Sequence, residues 1–184
     1  MLTIRIATMS DADDVVALRL ESERWLHAAG VQQWMDTARG IRNIQEGLAA
    51  GVTYVVTDSQ GDGGVVASLT LNGPDPDWWR DDDSPEDALY LYKFMITERW
   101  RGSGLGDELL DWACAQAESR GKRWLRLDCW RTNTALHAYY RARGFRHIRT
   151  DIVDGRGSGA LFERPASLRT AQPKQPRPFF SPRM

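Results

Sequence analysis

Six consecutive residues carry the spacing with the clearest chemical consequence: Arg101-Gly102-Ser103-Gly104-Leu105-Gly106. They follow an apolar stretch, Ala88 to Ile96, and open a segment in which Leu105, Leu109, Ala113 and Ala117 recur at helical spacing. A glycine turn that starts a helix leaves backbone N–H groups without intrahelical acceptors. Those donors and the helix dipole form an anion site, and glycine lets a phosphate approach the backbone closely. Arg101 adds positive charge. Two familiar phosphate patterns do not fit. A Walker A loop needs Lys and Ser/Thr after its last glycine, and Gly106 is followed by Asp107. The dinucleotide fingerprint needs a third glycine at position 107, which is Asp. The pattern present is Arg-x-x-Gly-x-Gly. A tight strand-to-helix turn without a ligand would use the same glycines.

A second pattern lies downstream. Leu127-Asp128-Cys129 is followed by Asn133-x-x-Leu136-x-x-x-Tyr140-x-x-x-Gly144-Phe145. The spacing of Asn133, Leu136 or His137, and Tyr140 sets them on one face of a helix.

The elements that must hold these residues can be read from periodicity. Leu2, Ile4 and Ile6 alternate with polar neighbours as in a strand. Ser10 or Asp11 then offers an N-cap for a helix over about 11–29, and a shorter helix spans about 40–50. Val52–Thr57 and Val65–Leu71 read as a hairpin, and Ala88–Ile96 as a strand. A helix runs from the glycine turn to Gly121, and a strand covers about 123–130. A helix over Asn133–Arg143, a strand over Phe145–Ile152 and a last strand over Ala160–Arg164 complete the order. The order β-α-α-β-β-β-α-β-α-β-β describes one mixed α/β domain. The boundary falls at 164/165: residues 1–164 form the domain. Pro165–Met184 is a Pro-rich basic tail, five of its residues proline and none acidic. It reads as a flexible extension, or as a docking arm through Phe179 and Phe180.

Composition narrows the function. The 184 residues suffice for one core, and 42% are hydrophobic. Lys and Arg total 24 against 25 Asp and Glu, so no basic excess suggests nucleic acid. No apolar run reaches about 18 residues, and no signal peptide is visible, so no membrane is expected. With only Cys114 and Cys129, and with scattered His27, His137 and His147, no metal site is expected. A reducing, cytoplasmic setting is the expectation.

The two glycine-containing patterns, in this order and at this spacing, resemble the GNAT superfamily of acyl-CoA N-acyltransferases. The resemblance is strong over about Ala88 to Thr150 and extends in element order back to Leu2. It implies a mixed, mostly antiparallel central sheet with helices on both faces and a splay between two central parallel strands. It implies acetyl-CoA as cosubstrate, its pyrophosphate on the amides of Arg101, Gly102, Ser103, Gly104, Leu105 and Gly106. The pantetheine arm would lie along the backbone of Phe94, Met95 and Ile96. Asn133 matches a position that often bonds the cofactor, and it also suits an N-cap. Tyr140 matches the tyrosine that protonates the departing thiolate, a role open to a phenol that keeps its proton at neutral pH. Many relatives carry a Glu base on the cofactor strand, whereas Leu89–Ile96 holds no acid. Asp128 is the first candidate base, with Glu98 or a water chain as alternatives. His137 is expected to pack against its helix.

The implied activity is N-acetylation of a primary amine, on a small molecule or at a peptide α-amine. The loop Asp75–Asp87 holds seven acids and one Arg. It would attract a cationic acceptor such as an antibiotic or polyamine, with Trp78 and Trp79 stacking on it. Alternatively the loop is solvated and its Trp pair closes a core edge. A non-catalytic GNAT-fold module that binds CoA or a partner is the alternative function, and a longer acyl group is a further one. Homodimers are frequent in the family that the chain resembles.

Overall fold

The computed structural model describes residues 1–60 and 63–171. Seven strands and four helices are present among them: β1 (Leu2–Ile6), α1 (Ala12–Ala28), α2 (Thr37–Ala49), β2 (Thr53–Asp58), β3 (Val65–Asn72), β4 (Ala88–Ile96), α3 (Leu105–Ser119), β5 (Trp124–Trp130), α4 (Thr134–Arg141), β6 (Arg146–Thr150) and β7 (Ser158–Pro165). The strands hydrogen-bond in the order β1-β2-β3-β4-β5-β7-β6. The sheet is mostly antiparallel, and β4 and β5 form its parallel pair. The mixed α/β class expected from periodicity is the class observed. The described residues form two compact units, 1–70 with 93–104, and 71–92 with 105–171.

In the first unit, β1 and β2 pair antiparallel from Leu2↔Asp58 to Ile6↔Tyr54, and β2 continues onto β3. The helices bury one stripe each. Val15 and Leu18 of α1, and Ile44 and Leu48 of α2, pack with Ala7, Val55 and Met95. At the start of α1, Thr8 N–H donates to the Asp11 carboxylate at 2.8 Å, and the Arg5 guanidinium donates to the same group at 2.7 Å. Asp36 caps α2 by accepting from Arg39 N–H at 2.9 Å. Its side-chain oxygen thereby meets a donor that the helix cannot satisfy. An ion pair is buried between the helices: Arg19 donates to Glu23 at 2.7 Å, and Thr37 donates to the other oxygen of Glu23 at 2.9 Å.

In the second unit, β5 pairs with β7 along its whole length, and β7 with β6. Glu163 of β7 stands opposite Arg126 of β5 on one side and Arg146 of β6 on the other. It accepts from both, and only 2% of it is exposed. α3 buries Leu105, Leu109, Leu110, Ala113, Cys114 and Ala117, the predicted face with two neighbours added. Both cysteines are buried thiols, and burial pushes Cys114 up to about 11 and Cys129 up to about 12. After β7, Thr170 and Ala171 N–H groups donate to Asp111 of α3 at 2.9 and 2.8 Å. Phe179 and Phe180 lie outside the described residues.

The register of β5 on β7 shifts between Cys129 and Trp130, and Gly159 sits opposite the shift with φ +127°. A Cβ there would lie 2.2 Å from the Asp151 carbonyl oxygen, a fixed backbone atom. Gly155, with φ +73°, has open space around it. Gly159→Ala is therefore expected to destabilise the fold by about 2–4 kcal/mol, against about 1 kcal/mol for Gly155→Ala. Denaturant unfolding of the two variants measures this, and equal midpoints would contradict it.

Candidate active site

The glycine turn forms as its sequence suggests. Gly102 and Gly104 take φ +71° and +91°, values that side chains with a Cβ rarely adopt. A short 3-10 turn at Glu98–Trp100 precedes them, and Arg101 N–H closes it on the Glu98 carbonyl at 3.0 Å. Ser103 donates its hydroxyl back to the Trp100 carbonyl at 2.7 Å. The turn is thereby fixed by its own backbone, and α3 begins at Leu105, whose side chain goes to the core.

Arg101 supplies the most informative contact. Its guanidinium carbon lies 4.3 Å from the ring centroid of Trp25 on α1. Its Nη1 is buried, with no hydrogen-bond partner among the described residues. A buried cationic donor without an acceptor costs free energy unless something anionic meets it. Glu21, one helical turn before Trp25, accepts from Glu98 N–H at 2.6 Å.

At the start of α3 one acid is held by a cation. Asp107 pairs with Arg143, which also lies 3.6 Å from the Tyr139 ring centroid and donates to the Tyr139 carbonyl at 3.1 Å.

On β4, Met95 is in the core, while Phe94 and Ile96 are half-buried. Lys93 takes φ +48° within the strand, a left-handed residue where extended backbone is the rule. No residue type announces this; Lys is ordinary in a strand, and the bend is visible only in the backbone. The parallel pairing of β4 with β5 joins Ala88, Leu89 and Tyr90 to Trp124, Leu125 and Arg126.

The second unit brings Asp128, Tyr92, Asp75 and Arg156 into mutual electrostatic range. Tyr92 donates its hydroxyl to the Gly73 carbonyl at 2.8 Å. Asp128, midway along β5's far half, accepts from Ser158 of β7. Burial raises its pKa above the ordinary carboxylate range, Asp75 adds to the rise, and Ser158 and Arg156 oppose it. Tyr140 is buried on α4, with its ring against Phe145 at 5.3 Å and Phe162 at 6.1 Å. Burial pushes its hydroxyl well above the usual phenol value, so it keeps its proton at any ordinary pH. Asn133 caps α4: its Oδ1 accepts from Leu136 N–H at 3.0 Å. His137 packs on Phe162 at 5.4 Å and bonds the Trp130 carbonyl at 2.9 Å, as expected of a packed histidine. Glu98 is exposed.

The acidic loop differs from its reading as a substrate trap. Trp78 and Trp79 are 0% and 4% exposed and pack with Ala88, Tyr90 and Leu161. Their cationic partners are internal: Arg156 lies 5.0 Å from Trp78, and Arg126 5.0 Å from Trp79. Asp75 and Asp77 pair with Arg156, Asp83 with Arg149, and Asp87 with Arg123. The loop closes a core edge, the alternative weighed above. The sequence offered a signal, since Arg149 and Arg156 flank the turn before β7, but nothing local linked them to residues some seventy positions earlier.

Among the described residues, no group of three or more His, Cys, Asp or Glu could hold a metal ion, and no helix is long and apolar enough to cross a membrane.

Known proteins resemble this chain in sequence and fold. A family model described as "Acetyltransferase (GNAT) family" matches residues 18–145. The chain is 30% identical over 151 residues to an "Uncharacterized N-acetyltransferase YesJ" of Bacillus subtilis (strain 168), covering 79% of this chain and 82% of that one. Among solved structures it is similar to a GNAT-family acetyltransferase of Listeria monocytogenes 4b F2365, with TM-score 0.72 and 22% identity over 89% of this chain and 94% of the other. It is also similar to the PaiA N-acetyltransferase of Thermoplasma acidophilum, solved in complex with coenzyme A, with TM-score 0.65 and 16% identity over 90% and 99% of the two chains.

The raised pKa of Asp128 has a consequence for stability. Between its ordinary pKa and the raised one, the folded chain holds a proton that the unfolded chain has lost. Stability therefore falls as pH rises through that window and stays lower above it. Asp128→Asn removes the buried charge and keeps an acceptor for Ser158. The variant is expected to melt about 2–4 °C above the parent near pH 8, with the gap closing near pH 4. Thermal unfolding at the two pH values tests this; a constant gap would contradict it.

Proposed function

The chain belongs to the GNAT family of acetyltransferases, and on that premise we propose that it moves the acetyl group of acetyl-CoA to a primary amine, on a small molecule or at a peptide α-amine. The observation that carries the cofactor half is the buried Nη1 of Arg101, without a partner among the described residues, beside two left-handed glycines just before α3. A phosphate suits this turn: the guanidinium and the N–H groups at the N-terminus of α3 are donors that a pyrophosphate accepts from, while the N–H groups of Arg101 and Ser103 already meet the Glu98 and Trp100 carbonyls. The complex of PaiA with coenzyme A supports the same reading. Phe94, Met95 and Ile96 contribute main-chain donors and acceptors to the pantetheine arm. Asn133 contributes its amide group, while its carbonyl oxygen caps α4.

Bound acetyl-CoA supplies the thioester carbonyl that the amine attacks. The C–N bond forms, the C–S bond breaks, and the thiolate takes a proton. Tyr140 is the assigned donor of that proton. Its burial keeps the phenol protonated, so it donates and does not compete as a base. Asp128 is the assigned acceptor of the amine's proton. A carboxylate with a raised pKa is a stronger base than an exposed one, which suits proton abstraction nearer neutrality. The acidic loop gives little support to a cationic acceptor, because four of its seven acids, Asp75, Asp77, Asp83 and Asp87, are paired with arginines and its tryptophans are buried.

Calorimetric titration with acetyl-CoA tests the cofactor half without knowledge of the acceptor. Gly104→Val crowds the cradle and disfavours its left-handed turn, and is expected to weaken binding at least about tenfold in a folded protein. Unchanged affinity would remove the phosphate assignment. Tyr140→Phe is expected to bind acetyl-CoA as the parent does and to slow transfer by about 10²-fold or more, measured as thiol release with an accepted amine. Equal turnover would remove the acid role, and binding without any turnover on a broad amine panel would favour a non-catalytic CoA-binding module.

A further inference from the structure

The glycine turn is held from outside by α1. Glu21 and Trp25 are four residues apart and share one face of that helix. Glu21 accepts the Glu98 backbone N–H at 2.6 Å, three residues before Arg101. Trp25 lies under the Arg101 guanidinium at 4.3 Å. Two successive turns of α1 thus grip the two ends of the segment that leads into the anion cradle.

Trp25 has no need of this position for core packing. It is 49% exposed, the largest side chain among the exposed apolar residues, and it is absent from the cluster built by Val15 and Leu18 of the same helix. An indole exposed beside the buried stripe of its helix loses little core packing by pointing elsewhere. Its observed contact is with the one cation of the turn. A guanidinium that stacks on an aromatic face keeps its in-plane N–H donors free for an acceptor, since the ring occupies only the direction normal to the plane. Arg101 shows both features: its guanidinium carbon lies over the Trp25 ring, while Nη1 is buried and without a partner among the described residues.

We propose that Trp25 is a positioning residue for the anion site, one that fixes the Arg101 guanidinium by stacking so that its in-plane donors stay aimed at the pyrophosphate of coenzyme A. The proposal rests on the phosphate reading of the glycine turn and goes beyond it, because neither glycine pattern includes α1. Without the indole, Arg101 becomes a long side chain with free rotamers, and its ordering has to be supplied on binding. The stacking also holds the charge in place when the site is empty of ligand, which shortens the search at binding.

Titration calorimetry with coenzyme A itself reads the effect and needs no acceptor amine. Trp25→Ala is expected to weaken coenzyme A binding about three- to tenfold, the range of a cation–π contact of this kind. Trp25→Phe retains a ring face and is expected to stay within about twofold of the parent. On an Arg101→Ala background, Trp25→Ala is expected to change affinity no further, since its effect passes through that guanidinium. Thermal unfolding of each variant confirms folding before titration. Parent-like affinity of Trp25→Ala overturns the proposal. So does an equal loss on the Arg101→Ala background, or a Trp25→Phe protein as weak as Trp25→Ala. If Arg101→Ala binds too weakly to titrate, the order parent, Phe, Ala decides alone. The parallel Gly104→Val titration separates the two ideas. Unchanged binding there removes the phosphate cradle itself. Lost binding there with an unaffected Trp25→Ala removes only the role of Trp25.

Discussion

Glu163 cannot leave its place without breaking the second unit. It is a carboxylate almost wholly removed from water, and its charge is met by Arg126 and Arg146 on the two flanking strands. A buried pair broken on one side costs about 3–5 kcal/mol, because the remaining charge is left without a partner. A slip of either neighbour by one residue would carry its arginine to the opposite face of the sheet. The buried Arg126–Glu163 pair therefore pins the register of β5 on β7, while Arg146, largely exposed, adds a screened contact from β6. Register in turn sets Ser158 opposite Trp130, where its hydroxyl reaches Asp128 two residues away, and places the Gly159 kink opposite Cys129 and Trp130. Arg126 extends the same constraint to the acidic loop. It donates to the Asp83 carbonyl at 2.8 Å and lies over Trp79.

Several arginines of the second unit use their charge within it. Arg149 ties Asp83 to Asp151, Arg156 ties Asp75 to Asp77, and Arg164 joins Asp111. A planar guanidinium with several fixed donors can bridge two carboxylates and a carbonyl at once, which an ammonium does less well. This explains why a loop with seven acids is compatible with a stable fold and with buried tryptophans. Among the described residues, buried guanidinium nitrogens without an acceptor occur at Arg164 (Nε and Nη1) and at Arg101 (Nη1), whose guanidinium at the glycine turn meets the Trp25 indole.

Much of the architecture was legible from the sequence because it depends on local signals. Alternation in Leu2–Ile6, the four-residue recurrence from Leu105 to Ala117, and the stops at Gly121 and Gly144 each act within one element. The order and type of all eleven elements follow from them. Boundaries moved by a few residues where caps intervened. α2 starts at Thr37, ahead of the expected start near 40, because Asp36 caps it. β6 stops at Thr150, short of Ile152, which is 75% exposed. The glycine turn was legible for a related reason: left-handed backbone needs glycine, so Gly102 and Gly104 announce it. One feature was not legible: Lys93 adopts the same kind of backbone with an ordinary side chain. The closing of a core edge by Trp78 and Trp79 stood beside the cationic-trap reading, and the residues that decide between them, Arg126 and Arg156, lie far along the chain.

The two thiols offer a last consequence, for the bench. Cys114 lies in the core face of α3 and Cys129 in β5, and both are buried protonated thiols with pKa values pushed to about 11 and 12. Thiol reagents act on the exposed thiolate, and here both exposure and ionisation are suppressed. A chromogenic disulfide added to the folded protein should therefore read released coenzyme A against a quiet background, and a slow rise in that background would report unfolding of the chain. The same dye thus serves as a clock for catalysis and as an integrity gauge for the sample in one cuvette.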